Sequence, residues 1–143
     1  MTQSASPTPD RFPGLTVLLV EDEAVSRMLT VALLKALGVA TVIEVTNAPA
    51  ALERLRAGPP VDIVLTDIHM PFMSGLSMLD TVRAGAQGID PNLPVVILTA
   101  ISDKGIVEKA CQRGIDGYLV KPPSVAALAQ AIRKVLDAGS KAA

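Results

Sequence analysis

Short aliphatic runs alternate along this chain with stretches in which apolar residues return every three or four positions. The runs at Leu15 to Val20, Thr41 to Val45, Val61 to Thr66, Pro94 to Thr99 and Gly117 to Val120 have the length and composition of buried strands. Each is followed by a helical pattern. In the first of these, Val25, Met28, Leu29, Ala32, Leu33, Ala36 and Leu37 share one face, which is expected to lie on the sheet, and Gly38 stops the helix. The second begins near Asn47 with Pro49 in its first turn, carries Ala48, Ala51, Leu52 and Leu55, and ends at "GPP". The third starts at Ser74 or Gly75 and buries Leu76, Leu79 and Val82. The fourth runs from about Asp103 to Gly114, with Ile106, Val107, Ala110 and Cys111 inward. The fifth follows Ser124 as cap and aligns Val125, Leu128, Ile132, Val135 and Leu136.

Five strand-helix units in succession predict a doubly wound α/β fold, a flavodoxin-like (βα)5 sandwich around a parallel sheet. Covering both faces of the sheet requires one reversal of strand order, which gives 2-1-3-4-5. In such sheets ligands bind beyond the carboxyl ends of the strands, where strands 1 and 3 part.

Composition narrows the function. The 143 residues are half apolar, enough for one ordinary core, and a net charge of −1 from 13 basic and 14 acidic side chains supplies no broad cationic surface for nucleic acid. Phe12, Phe72 and Tyr118 are the only aromatics, too few for base stacking, and the single Cys111 fits a reducing compartment. Residues 1–14 read as a flexible leader without the order of a signal peptide, 15–138 as the folded domain and 139–143 as a tail. No apolar run approaches a membrane span, so a cytoplasmic location is expected, with no membrane contact and no direct nucleic acid partner.

Chemistry-bearing residues collect just past the strands. Glu21, Asp22 and Glu23 follow the first, Asp67 the third, Thr99 ends the fourth and Lys121 follows the fifth. Each has an ordinary explanation alone, such as acids at a helix N-terminus. Together they place several carboxylates at one sheet edge, an arrangement that repels itself unless a cation sits among them. A hard divalent ion held through oxygen, Mg²⁺, fits, and its usual company is phosphate. An ionised Asp67 can then act as nucleophile toward phosphorus, while Lys121 and the Thr99 hydroxyl offset charge on the transferring group.

The segments "LLVEDE", "VLTDIHMPFMSG", "VVILTA" and "GYLVKP", in this order, resemble the receiver domain of bacterial two-component response regulators, over Leu15 to about Leu136. The resemblance implies a phosphorylation-activated signalling switch that is not an enzyme beyond assisting its own phosphoryl transfer and slow dephosphorylation. Asp67 would accept the phosphoryl group from a histidine of a sensor kinase or phosphotransfer protein. Asp22 would contact Mg²⁺ directly, Glu21 through water and His69 through its backbone carbonyl. Thr99 would be the switch hydroxyl, Lys121 the phosphate-binding lysine, preceding a commonly cis bond to Pro122, and Tyr118 the aromatic that couples the site to the surface of the fourth helix, fifth strand and fifth helix. The state would be a monomer or a phosphorylation-dependent dimer. Ser74 stands where the family often has Asp, and the loop at Ala84 to Leu93 is somewhat long.

His69 is the only histidine, so the donor is expected in trans, and its side chain reads more simply as an exposed turn residue than as a participant. No output domain follows Ala143 in this sequence, and the expected output is protein binding, relay or kinase control through the loop after the fourth strand. Three alternatives remain at this point. A hydrolase of the haloacid dehalogenase type also uses a strand-end Asp, but wants a second Asp where His69 stands. A flavodoxin-like small-ligand binder lacks its Gly-rich loop here. A receiver used as a non-phosphorylated adaptor would not need the full set of acceptor and metal positions.

Overall fold

The computed structural model of the chain describes residues 11–100 and 104–142. Five parallel strands, β1 (Thr16–Val20), β2 (Thr41–Val45), β3 (Ile63–Asp67), β4 (Val95–Thr99) and β5 (Gly117–Val120), lie in the order β2-β1-β3-β4-β5. The expected 2-1-3-4-5 order is therefore observed. Between and after them run α1 (Ala24–Ala36), α2 (Ala48–Ala57), α3 (Gly75–Arg83), α4 (Lys104–Gln112) and α5 (Val125–Ala142), and a short 3₁₀ turn (Ala86–Gly88) occupies the long loop before β4.

The three inner strands are buried on both faces, and their side chains divide by twos. Val17, Leu19, Ile63, Leu65, Val96 and Leu98 face one layer with Leu34, Leu37, Leu128 and Ile132. Leu18, Val20, Val64 and Val95 face the other with Ala51, Leu52, Met78, Leu79 and Val82. Each fully buried leucine of this kind contributes about 1.5–3 kcal/mol. The register aligns Val20 with Thr66 and Asp67 with Leu98, which sets the polar ends of β1, β3 and β4 along one edge.

Helix starts follow the expected caps. Asn47 accepts from the Ala50 N–H at 2.8 Å, Ser74 from the Ser77 N–H at 3.1 Å and Ser124 from the Ala127 N–H at 3.0 Å. Gly38 takes a left-handed φ of 73° just past α1, where a side chain would be strained, and its N–H bonds the Lys35 carbonyl.

The structure corrects the sequence reading at several points. The apolar stripe of α1 faces outward: Val25, Met28 and Leu29 are exposed, and Thr30, Leu34 and Leu37 face the core. Two stripes compete on this helix and share Leu33 and Leu37. The more polar one turns inward because its N-terminal half meets the polar strand ends while Leu34 and Leu37 reach the core. Cys111 is exposed on α4, where Ala110 is the fully buried residue. On α5, Val125 and Leu136 are on the outer side, and Ala129 takes an inward place beside Leu128 and Ile132. The end of the expected leader is packed: Phe12 is buried in the core, its N–H bonds the Leu37 carbonyl at 3.0 Å and its carbonyl receives the Leu15 N–H. Residues 1–10 lie outside the described residues, as do 101–103, which include the expected start of α4 and most of the loop after β4. At the other end the helix runs on to Ala142, through most of the segment expected as a tail.

Candidate functional site

Three loops leave the carboxyl edge of the sheet side by side. The β1–α1 loop carries Glu21 and Asp22, β3 ends on Asp67, and β5 runs directly into Lys121. The Lys121–Pro122 peptide is cis, as the resemblance implied. A ligand atom from each of Glu21, Asp22 and Asp67 lies within 4.8 Å of the others. The sequence expectation that these three acids converge is met.

Lys121 stands among them. Its Nζ donates to Glu21 Oε1 at 2.6 Å and to Asp67 Oδ2 at 2.9 Å. The second Asp67 oxygen, Oδ1, accepts the Ile68 N–H at 2.7 Å. Glu21 is fully buried and has partners on both oxygens: Oε1 also accepts the Ser26 hydroxyl at 2.7 Å, and Oε2 the Glu23 N–H at 3.3 Å. Asp22 is exposed, so two acids are fixed by protein donors and the third faces solvent.

The charges shape one another. Burial pushes the Glu21 carboxyl upward, but hydrogen bonds from Lys121, Ser26 and Glu23 with the lysine's charge outweigh it, and Glu21 is held below its ordinary value. For Asp67 burial wins, helped by the Glu21 charge, against the hydrogen bond and charge of Lys121 and the Ile68 N–H, and its carboxyl is raised. Burial alone would lower Lys121, yet its hydrogen bonds to Glu21 and Asp67 and their charges leave it raised and firmly cationic. The result is an asymmetric pair: Glu21 is the settled anion, and Asp67 is the one whose negative charge is less comfortable and more available.

An all-oxygen donor set, part buried and part open to solvent, suits a hard cation such as Mg²⁺, which takes one or two carboxylates and keeps several waters. The side chains present therefore fit that ion. His69 is exposed two residues past Asp67. Thr99 is buried at the end of β4, one residue beyond the strand partner of Asp67, and its hydroxyl donates to the Ala100 carbonyl at 3.4 Å, a long and weak bond. Tyr118 on the edge strand β5 is half exposed.

Ser26 and Arg27 are part of the site and escaped the sequence reading. Arg27 donates to the Glu21 carbonyl at 2.9 Å and pairs with Glu44 at 3.5 Å. The signal was present: Ser26, Arg27 and Thr30 form a polar patch next to Leu34 on the helix that follows an acidic strand end. Glu23, by contrast, has the capping role that its position suggested, its carboxylate accepting the Ser26 N–H at 2.9 Å.

Comparison with known proteins agrees with this geometry. Residues 17–133 match the family model of the response regulator receiver domain. The chain is 32% identical over 124 residues to the chemotaxis protein CheY-3 of Vibrio cholerae, covering 87% of this chain and 93% of that one. It is likewise 32% identical over 123 residues to the chemotaxis protein CheY of Pseudomonas aeruginosa, covering 86% and 97%. Among solved structures, the receiver domain of a sensor histidine kinase from Pseudomonas aeruginosa superposes with a TM-score of 0.74 at 31% identity, over 85% of this chain and 98% of that one. That structure has a magnesium ion coordinated in the active site cleft. Among the described residues, no helix is long and apolar enough to cross a membrane.

Proposed function

The chain belongs to the response regulator receiver domain family, and from that premise we propose that Asp67 is its phosphoacceptor, with Lys121, Thr99 and the acid cluster as the supporting machinery. The family match favours the signalling domain over the dehalogenase-type hydrolase and the flavin binder. The observation that carries the site assignment is the position of Lys121, hydrogen-bonded at once to the buried Glu21 and to Asp67.

An Asp67 oxygen attacks the phosphorus of a phosphohistidine presented by a sensor kinase or phosphotransfer protein. The new P–O bond forms as the P–N bond breaks, and the imidazole leaves with the electron pair and takes up a proton. The carboxylates of Glu21, Asp22 and Asp67 and the His69 carbonyl are the groups that would hold Mg²⁺, which would supply positive charge to offset that of the transferring phosphoryl group. Lys121 passes from the Asp67 carboxylate to a phosphoryl oxygen and keeps its bond to Glu21. That anchor holds the ammonium at the site throughout.

Phosphorylation replaces the singly charged Asp67 carboxylate with a phosphoryl group that bears nearly two negative charges and three acceptor oxygens beside Thr99, enough to draw its hydroxyl away from a 3.4 Å bond that holds it weakly. Tyr118 then turns inward from its half-exposed position, and the face of α4, β5 and α5 becomes one that a downstream protein prefers, or on which a second copy pairs. A cytoplasmic location and slow self-catalysed dephosphorylation belong to the same reading. The complete acid, hydroxyl and ammonium set speaks against a purely non-phosphorylated adaptor.

The test is chemical. Incubated with Mg²⁺ and ³²P-acetyl phosphate, the protein is expected to take up one label that survives acid and is released by hydroxylamine. Asp67→Asn must abolish it. A label that persists in that variant, or none in the wild type, overturns the assignment.

A further inference from the structure

We propose that Phe72 is a docking anchor for the phosphodonor protein, an aromatic held out over the acceptor edge at the expense of a strained backbone. This rests on Asp67 being the phosphoacceptor. Phe72 has φ of 74°, in the left-handed region where bulky side chains are true outliers. The Met73 N–H bonds the Pro71 carbonyl at 2.8 Å, so Phe72 is the middle residue of a three-residue turn, and such turns with positive φ are rare and strained.

Burial offers no compensation, because Phe72 is 86% exposed, more than any other large apolar residue of the described chain. Both the strain and the exposure disfavour this residue in the isolated molecule, where Asn or Gly would sit more easily. Its neighbours do not push it outward by accident: Met70 and Met73 pack on the core beneath α2 and α3, which fixes the turn from both sides. The loop is also tied to the acceptor, since the Gly75 N–H bonds the Ile68 carbonyl at 2.8 Å.

The occupant follows from the depth of Asp67, which is only 9% exposed. A protein that brings a phosphohistidine to a recessed carboxylate must cover the rim of the crevice, and Phe72 stands on that rim, at the tip of the loop leaving Asp67. A small phosphodonor needs no such contact. The outward Val25, Met28 and Leu29 lie in the first half of α1, the helix that follows Glu21 and Asp22, and supply apolar surface on a second element leaving the same edge. A buried aromatic with apolar surroundings is the usual energetic centre of a protein interface. The downstream partner's face, around Tyr118, belongs instead to the edge strand β5.

Phe72→Asn and Phe72→Trp separate these contributions. Label transfer is followed from ³²P-acetyl phosphate and from each of the host's autophosphorylated histidine kinases and phosphotransfer proteins. Phe72→Asn is expected to raise Tm, to leave acetyl phosphate labelling within twofold, and to lower kcat/KM for the protein donor at least tenfold, mainly through KM. Phe72→Trp is expected to retain most of the protein-donor rate. A protein-donor rate within twofold of wild type in Phe72→Asn overturns the anchor while leaving the phosphoacceptor intact. Loss of both labelling reactions shows Phe72 to be part of the chemistry and overturns the proposal too. A wild type that no donor labels removes the reading on which it rests.

Discussion

The Lys121 ammonium reaches across 54 residues of chain to bond the Asp67 carboxylate at 2.9 Å, and the same nitrogen neutralises the fully buried Glu21. One cation therefore holds two acids that burial would otherwise drive toward protonation. Lys121→Met is expected to cost about 3 kcal/mol at neutral pH, because it leaves buried carboxylates facing each other unpaired. The sign of the pH dependence follows from the shifts. Glu21 lies below its ordinary value, so its contribution is present above the unfolded-state pKa and is lost as pH falls. Asp67 is raised, and its ionisation already disfavours the folded state as pH rises. Without Lys121 both carboxyls rise, so the gap between wild type and variant is expected to be widest near pH 7 and to narrow below about pH 4. Urea denaturation in chelator from pH 3 to 8 measures it; a gap independent of pH would mean that the lysine acts through packing alone.

Gly75 opens α3 directly against the backbone of Asp67 and Ile68. A Cβ there would stand 2.4 Å from the Asp67 carbonyl oxygen and 3.0 Å from the Ile68 Cα, too close for either atom to remain in place. Gly75→Ala is therefore expected to destabilise by about 2 kcal/mol through overpacking, although alanine is normally preferred to glycine in a helix. Acetyl phosphate labelling of Asp67 should fall with it. Gly105→Ala in α4 is the control, because among the described residues nothing lies within 4 Å of its Cβ position, and a gain of about 0.5–1 kcal/mol is expected. Paired thermal melts decide the matter, and equal effects at the two sites would contradict the close approach.

The sheet and the place of Asp67 at its carboxyl edge were legible because strand length, β-branched content and strand-end chemistry are local signals. Asp67, Glu21, Asp22 and Lys121 could be placed on one edge as soon as the strand order was known. The facing of α1 was not legible in the same way, since hydrophobicity alone ranks Val25, Met28 and Leu29 above Thr30 and Arg27. The burial order is the reverse: Thr30 bonds the Ser26 carbonyl at 2.9 Å, Arg27 the Glu21 carbonyl and Ser26 the Glu21 carboxylate. A helix that borders a charged site serves two solvents along its length, and a single apolar stripe cannot describe it. Phe12 was hidden for a different reason, an isolated aromatic within a Pro- and Ser-rich stretch having no periodicity to reveal its burial.

Arg83 joins segments that the sheet alone leaves apart. Its guanidinium donates to the carbonyls of Gly114, Pro91 and Leu93 and to the Asp116 carboxylate, which in turn accepts the Val95 N–H. The planar fork spreads these four acceptors over its three nitrogens, a span that a lysine's single nitrogen cannot match. Arg83→Met is expected to cost about 2 kcal/mol, and Arg83→Lys to recover less than half of that. Asp67 labelling by acetyl phosphate should persist at temperatures where the variants remain folded. Chemical denaturation with parallel labelling tests this, and full rescue by lysine would show that only charge matters.

The three acids of the site differ in how far they are committed. Glu21 is saturated by Lys121, Ser26 and the Glu23 N–H, whereas Asp22 is exposed within the same 4.8 Å cluster. Asp22→Asn should therefore separate metal binding from stability. With EDTA present, removal of one of three crowded negative charges is expected to leave Tm unchanged or slightly raised. With millimolar Mg²⁺ the wild type should gain stability by mass action, and the variant should lose most of that gain. Ser26→Ala is expected to behave in the opposite manner. It removes a hydrogen bond from a fully buried carboxylate, so it should lower stability by about 1–2 kcal/mol in EDTA while retaining the Mg²⁺ response. Thermal melts over a Mg²⁺ titration measure both quantities together, and an undiminished response in Asp22→Asn would remove this residue from the metal site.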